Sequence, residues 1–176
     1  GACYYGPNYN IIVKSNQTVD ARCPAEYQNI RRDIVLKNKQ SFVVIGGMLP
    51  VYLSMDYFDN GMHGGYQGPY DRDFIHTTNK KTVFEDTIKT SVLEILNSGS
   101  HVILIYPFPE PGWHLPQKIK SLIDSGYELK STYEKTWINR NKYENRTKKV
   151  FNIYDSIEHP NLIRIYPHEV NCNEVL

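Results

Sequence analysis

The residues best placed to do chemistry in this sequence stand where an apolar run breaks off. Val102 to Tyr106 are apolar in unbroken succession and lead directly into Pro107, Pro109, Glu110, Pro111, Gly112, Trp113 and His114. Such a run fits a strand buried on both faces of a parallel sheet, and the chain just past the carboxyl end of such a strand is where open α/β sheets bind ligands. Glu110 and Trp113 are therefore candidates for a substrate loop; the alternative is that the prolines and glycine only turn the chain. A second group lies in residues 55–80, rich in Asp, Asn, Gly and Tyr. There Tyr57, Phe58, Tyr66 and Tyr70 could present flat aromatic faces to sugar rings. His63, His114 and His168 fall on separate loops without the short spacings of a metal site, so they read as surface histidines, and neither metal nor cofactor is expected.

The three cysteines leave two readings open. Cys3 and Cys23 have a spacing that a disulfide can close and that matches no zinc pattern, while Cys172 has no evident partner. In a reducing compartment all three would be free thiols instead.

Composition narrows the classes. A chain of 176 residues is the size of one domain, with ample length for a single core. Its 20 basic and 19 acidic residues give neither a nucleic-acid footprint nor an acidic tail, and favour small or uncharged partners. No run is long enough to cross a bilayer, and GACYYGPN lacks the features of a signal peptide. Neither end reads as a natural terminus.

The elements that must position these residues alternate along the chain. Residues 24–39 begin with proline and carry Tyr27, Ile30 and Ile34 at helical spacing, which predicts a helix with one buried stripe. A strand follows at 41–45, and residues 55–80 read as a long loop. Thr82 and Glu85 have the spacing of a capping box ahead of Phe84, Ile88, Val92 and Leu96, and Gly99 closes that helix. After the strand at 102–106, helices are predicted at 115–125 and about 139–157, the latter burying Tyr143, Val150, Phe151, Tyr154 and Ile157. A last strand, 162–166, runs into Pro167, His168 and Glu169. Strands separated by helices imply right-handed crossovers and a parallel sheet whose carboxyl ends share one edge.

The order of these features resembles the SGNH domain, of the GDSL-type esterase and acetyltransferase fold, that is fused to the membrane acyltransferase-3 module of bacterial polysaccharide and lipopolysaccharide O-acetyltransferases. The resemblance is carried by SFVVIGGMLPVYL, by HVILIYPFPEPGWHLP, by Asn139-Arg140-Asn141 ahead of Tyr143, and by NLIRIYPHEVNC. It implies an α/β, flavodoxin-like three-layer sandwich with a parallel sheet, truncated here at both ends. In that family a serine nucleophile sits in Gly-Asp-Ser after the first strand, and Asp-x-x-His near the C-terminus completes the triad. No Gly-Asp-Ser occurs in this chain, and Asp73-x-x-His76, the one match to the second motif, falls in the mid-chain loop rather than after the last strand. The resemblance thus implies a single partial domain over 1–176, with the catalytic Ser, Asp and His outside it.

The oxyanion hole is the catalytic part the resemblance leaves inside the chain. Gly1 stands at the position of the family's glycine, and Gly47 at the third-strand position, with Met48 where an amide side chain or an Arg-Trp pair is usual. The implied parent is an extracytoplasmic, periplasmic domain of a bacterial inner-membrane protein. It takes acetyl groups from the fused membrane module and passes them to a polysaccharide acceptor, without nucleic acid. A non-catalytic carbohydrate-binding module is the alternative. The strand order third, fourth, fifth is expected, with 102–106 in the middle and a loosely held segment over 1–22.

Overall fold

The computed structural model describes residues 3–61, 68–78, 83–136 and 138–171. In chain order the elements are β1 (Tyr9–Val13), β2 (Thr18–Val19), α1 (Ala25–Lys37), β3 (Phe42–Ile45), α2 (Leu49–Ser54), β4 (Arg72–His76) and α3 (Phe84–Asn97). They continue with β5 (His101–Ile105), α4 (Leu115–Asp124), α5 (Leu129–Glu134), α6 (Arg140–Asp155), β6 (Leu162–Ile165) and α7 (Pro167–Asn171).

β3, β5 and β6 form a parallel sheet in that order, with Val43 opposite Val102 and Val102 opposite Leu162. The apolar run at 102–106, in β5, is central in this sheet, as expected. Because the order advances in one direction, right-handed crossovers place α3 and α6 on the same face. On that face Ile45, Val102 and Leu104 pack with Ile88, Val92, Ile95 and Leu96 of α3 and Val150 and Tyr154 of α6. Strand alternation sends Phe42, Val44, Ile163 and Ile165 to the opposite face, where they are 65%, 59%, 43% and 45% exposed. The sheet of the described residues is thus α/β and parallel but closely covered on one side. The burial on both faces expected of 102–106 is met on one only, Ile103 and Ile105 being half-buried.

A second sheet was not foreseen. β1 pairs antiparallel with both β2 and β4, Tyr9 standing opposite His76 and Val13 opposite Arg72. The expectation of a loosely held N-terminal segment is therefore corrected, and so is that of an unbroken loop over 55–80. Tyr9 and Ile11 are 2% and 3% exposed, the Tyr4 and Tyr154 hydroxyls share a buried hydrogen bond of 2.8 Å, and Cys3 is bonded to Cys23. Asp20, buried just after β2, receives Arg22 at 2.6 Å and Arg72 of β4 at 3.0 Å. The short apolar, β-branched run in YNIIV was the available signal for β1.

The stripe of α1 is also corrected. Tyr27, Ile30 and Ile34 are 51%, 48% and 56% exposed, while Ala25 and Gln28 are buried. Gln28 accepts from the Gly6 N–H and donates to the Tyr4 carbonyl, and Arg32 pairs with Glu94 of α3, so polar contacts orient the helix with its apolar stripe outward. α3 starts at the Val83 N-cap without a side-chain cap, and Glu85 pairs with Lys149 of α6. Thr82 lies outside the described residues. Gly99, at φ +95°, ends α3 as predicted. No helix among the described residues is long and apolar enough to cross a membrane.

Candidate functional site

The carboxyl edge of the parallel sheet is assembled by one face of α6. Asn139 caps that helix by accepting the Asn141 N–H at 2.8 Å. One turn on, the Tyr143 hydroxyl donates to the Pro107 carbonyl at 2.8 Å, fixing the chain as it leaves β5. Lys142 donates to the Asn60 carbonyl at 2.8 Å, and the Asn60 amide donates to the Pro111 carbonyl at 3.0 Å. Arg146 joins three segments: its guanidinium pairs with Glu110 at 3.4 Å, donates to the Asp56 carbonyl at 2.7 Å and donates to the Ser54 hydroxyl. Side-chain exposures of 10% for Arg146 and 22% for Glu110 make this a shielded pair, beyond the reach of most solvent screening.

Gly112 is required by the same packing. It adopts φ +70°, and a Cβ there would stand 2.9 Å from Cβ of Asn60. The Pro-Glu-Pro-Gly-Trp stretch is therefore a loop clamped at Pro107, Glu110 and Pro111, more than a turn. Trp113 is half-buried, with the Lys118 ammonium 5.0 Å from its ring centroid, and Phe108 is 60% exposed.

Gly47 follows β3 on this edge. Its φ of +134° is a conformation that suits glycine, it is exposed, and its N–H has no partner among the described residues. Gly46 lies against β5, where an added Cβ would stand 3.0 Å from Cβ of Ile105. Gly1 and Tyr66, the other candidate donor and one of the candidate sugar platforms, lie outside the described residues, as do His63 and Cys172.

The remaining tyrosines are engaged with each other. Tyr57 meets Tyr70 edge to face at 5.4 Å, Tyr70 meets Tyr52 at 5.6 Å, and Tyr52 meets Phe74 of β4 at 5.3 Å. Phe58 is 8% exposed. Burial beside Tyr52 raises the Tyr70 hydroxyl above its ordinary pKa, and burial likewise pushes the Tyr154 hydroxyl up to about 12, so neither is a base near neutral pH.

Asp73 and His76 both lie on β4, three residues apart, so the strand directs them to opposite faces and they do not form an acid–base pair. The His76 ring packs edge-on to Tyr9 at 5.0 Å and its Nδ1 accepts the Thr78 N–H at 3.2 Å. His114 is exposed at the start of α4. His168 departs from the surface reading: it is half-buried, 5.3 Å from the Phe151 ring and 5.7 Å from that of Tyr143, beside a pocket of about 400 Å³. Ser54 is no nucleophile in this setting, because its hydroxyl donates to the Pro50 carbonyl at 2.9 Å and faces a guanidinium that cannot take up a proton.

Arg146 and Lys142 are the residues that sequence reasoning missed. Their signal was present in the Asn139 cap, which sets the helix phase and so places 142, 146 and 149 on one face. Beside that face, between α2, residues 56–61 and α6, lies an open cleft of about 820 Å³.

Residues 1–175 match the family model described as SGNH domain (fused to AT3 domains). No curated protein and no solved structure matches the chain.

Proposed function

Because the chain belongs to the family of SGNH domains fused to AT3 domains, and so to an acyltransferase-associated group, we propose that it forms part of the extracytoplasmic domain of a bacterial membrane O-acyltransferase. That protein acetylates a cell-surface polysaccharide or lipopolysaccharide. The catalytic Ser, Asp and His come from segments outside these residues, and those segments complete a three-layer sandwich. The serine oxygen attacks the acetyl carbonyl presented by the membrane module, its proton passing to the histidine and from there to the donor's departing group; a sugar hydroxyl then attacks the acetyl-serine, and its proton passes through the histidine to the released serine oxygen.

The open face of the parallel sheet carries this reading. Parallel sheets occur with both faces covered, yet Phe42, Val44, Ile163 and Ile165 are 65%, 59%, 43% and 45% exposed, and β3 pairs only with β5 among the described residues. A further strand beside β3 and helices on the open face would bury these side chains and put a new strand's carboxyl end next to Gly47. The free Gly47 N–H suits a role as oxyanion donor there, with backbone serving where Met48 offers no amide. The engagement of Tyr57, Phe58 and Tyr70 with protein leaves less support for a module that binds sugars on those rings alone.

The test uses the complete gene product that contains this chain. Its deletion from the source bacterium should abolish ester-linked acetyl on the surface glycan, read by NMR of the extracted polysaccharide, and the gene should restore it. The isolated chain should not turn over p-nitrophenyl acetate. Unchanged O-acetylation in the deletion strain, or turnover by the isolated chain that one serine substitution abolishes, would remove the proposal.

A further inference from the structure

We infer that the cleft between α2, residues 56–61 and α6 takes an acidic glycan, one whose sugars carry carboxylate or phosphate groups; this substrate class rests on the acceptor reading above.

The charge distribution points to it. Across the whole chain basic and acidic residues nearly balance, at 20 and 19, but α6 alone carries Arg140, Lys142, Arg146, Lys148 and Lys149 against Glu144 and Asp155. Lys142, Arg146, Lys148 and Lys149 line the cleft, whose carboxylate lining is Asp59. These cations are not equally available. Arg146 is neutralised by Glu110, and Lys149 pairs with Glu85 at 2.9 Å. Lys142 is hydrogen-bonded to a neutral carbonyl and, like Lys148, has no ion-pair partner among the described residues. Two lysines thus line the cleft on a helix anchored at both the 56–61 and 107–111 segments.

The rest of the lining fits a sugar. Leu53 supplies an apolar side for the C–H face of a ring, while Asn145 and Asn152 can both donate to and accept from hydroxyls. A volume of about 820 Å³ lies within the range of ligand clefts. A lysine pair recognises an anion as a point charge without demanding planar bidentate geometry, which suits carboxylates and phosphates spaced along a polymer.

Isothermal titration of the chain with an oligogalacturonate and with its methyl ester, the same sugar backbone without charge, tests this. The acidic oligomer should bind about tenfold tighter, with the advantage lost in about 0.5 M salt. Lys148→Gln should reduce the preference several-fold and Lys148→Arg should keep it, with circular dichroism verifying that each variant is folded. Lys142→Gln/Lys148→Gln should abolish it. Equal affinity for the two oligomers would overturn this inference while leaving the acceptor reading in place, and binding of neither would remove both. Polyphosphate binding as tight as the acidic oligomer's would show a general anion patch and overturn the glycan assignment.

Discussion

Arg146 concentrates the residue-scale chemistry of this protein. Its guanidinium donates to the Glu110 carboxylate, the Asp56 carbonyl and the Ser54 hydroxyl at the end of α2, and it is a tenth exposed. Removing it by Arg146→Met leaves Glu110 shielded without a partner, which should cost on the order of 3 kcal/mol in urea unfolding, against a smaller loss for Glu110→Gln, where the guanidinium keeps the Asp56 carbonyl and the Ser54 hydroxyl as acceptors. Gly112→Ala should also destabilise, by about 1–3 kcal/mol, since it combines a left-handed φ with a contact on Asn60. Asp20 gives a pH signature. The Arg22 guanidinium, joined by that of Arg72, holds its carboxyl well below the usual carboxylate range. A depressed folded-state pKa contributes stability that is present above the unfolded value of about 3.9 and is lost as pH falls toward the folded value. Wild-type stability should therefore decline on acidification from pH ~5 downward, and Asp20→Asn should be less stable at neutral pH with a shallower acid limb.

At the scale of elements, burial separates the helices into two kinds. Ile88, Val92, Ile95 and Leu96 of α3 are each 1% exposed, so Val92→Ala or Leu96→Ala should cost about 1–5 kcal/mol through lost contacts and cavity formation. Ile30→Gln on the outward stripe of α1 should change the stability of this chain by less than about 0.5 kcal/mol. The substitutions in α3 and α1 fall on stripes of the same hydrophobic period, and their contrast in denaturant unfolding distinguishes a covered stripe from an open one. α1 is also tied at its start by the bond between Cys3 and Cys23, 20 residues apart. Cys3→Ser/Cys23→Ser should lower stability by about 3 kcal/mol through release of the unfolded chain, with the loss reproduced by reduction of the wild type.

For the whole molecule the decisive feature is a parallel sheet whose second face is exposed and whose β3 edge has no strand partner among the described residues. Val44 lies at that edge and on that face, 59% exposed. The chain should bind a hydrophobic dye and associate with rising concentration in sedimentation velocity, and Val44→Lys should suppress both at little cost in stability. Unaltered association in that variant would place the contact elsewhere.

What the sequence determined by itself was local and periodic. The apolar run at 102–106 marked the central strand, the four-residue spacing of Ile88, Val92 and Leu96 marked the core face of α3, and Gly99 marked a helix end at φ +95°. The resemblance carried by the strands and the Pro-Glu loop also reached the family, because those segments are contiguous and keep their spacing. Tertiary structure decided everything that depends on which surfaces meet. Periodicity showed that α1 has an apolar stripe but not that Gln28 and Arg32 would dock the other side. It could not join β1 to β4 across more than fifty intervening residues, a pairing set by register between distant strands. Nor could net charge reveal Arg146, Lys142 and Lys148 gathered beside one cleft, since a near-neutral total is compatible with any arrangement of the charges that compose it. Sequence fixes the period and chemistry of a face, whereas its partner is settled by long-range packing.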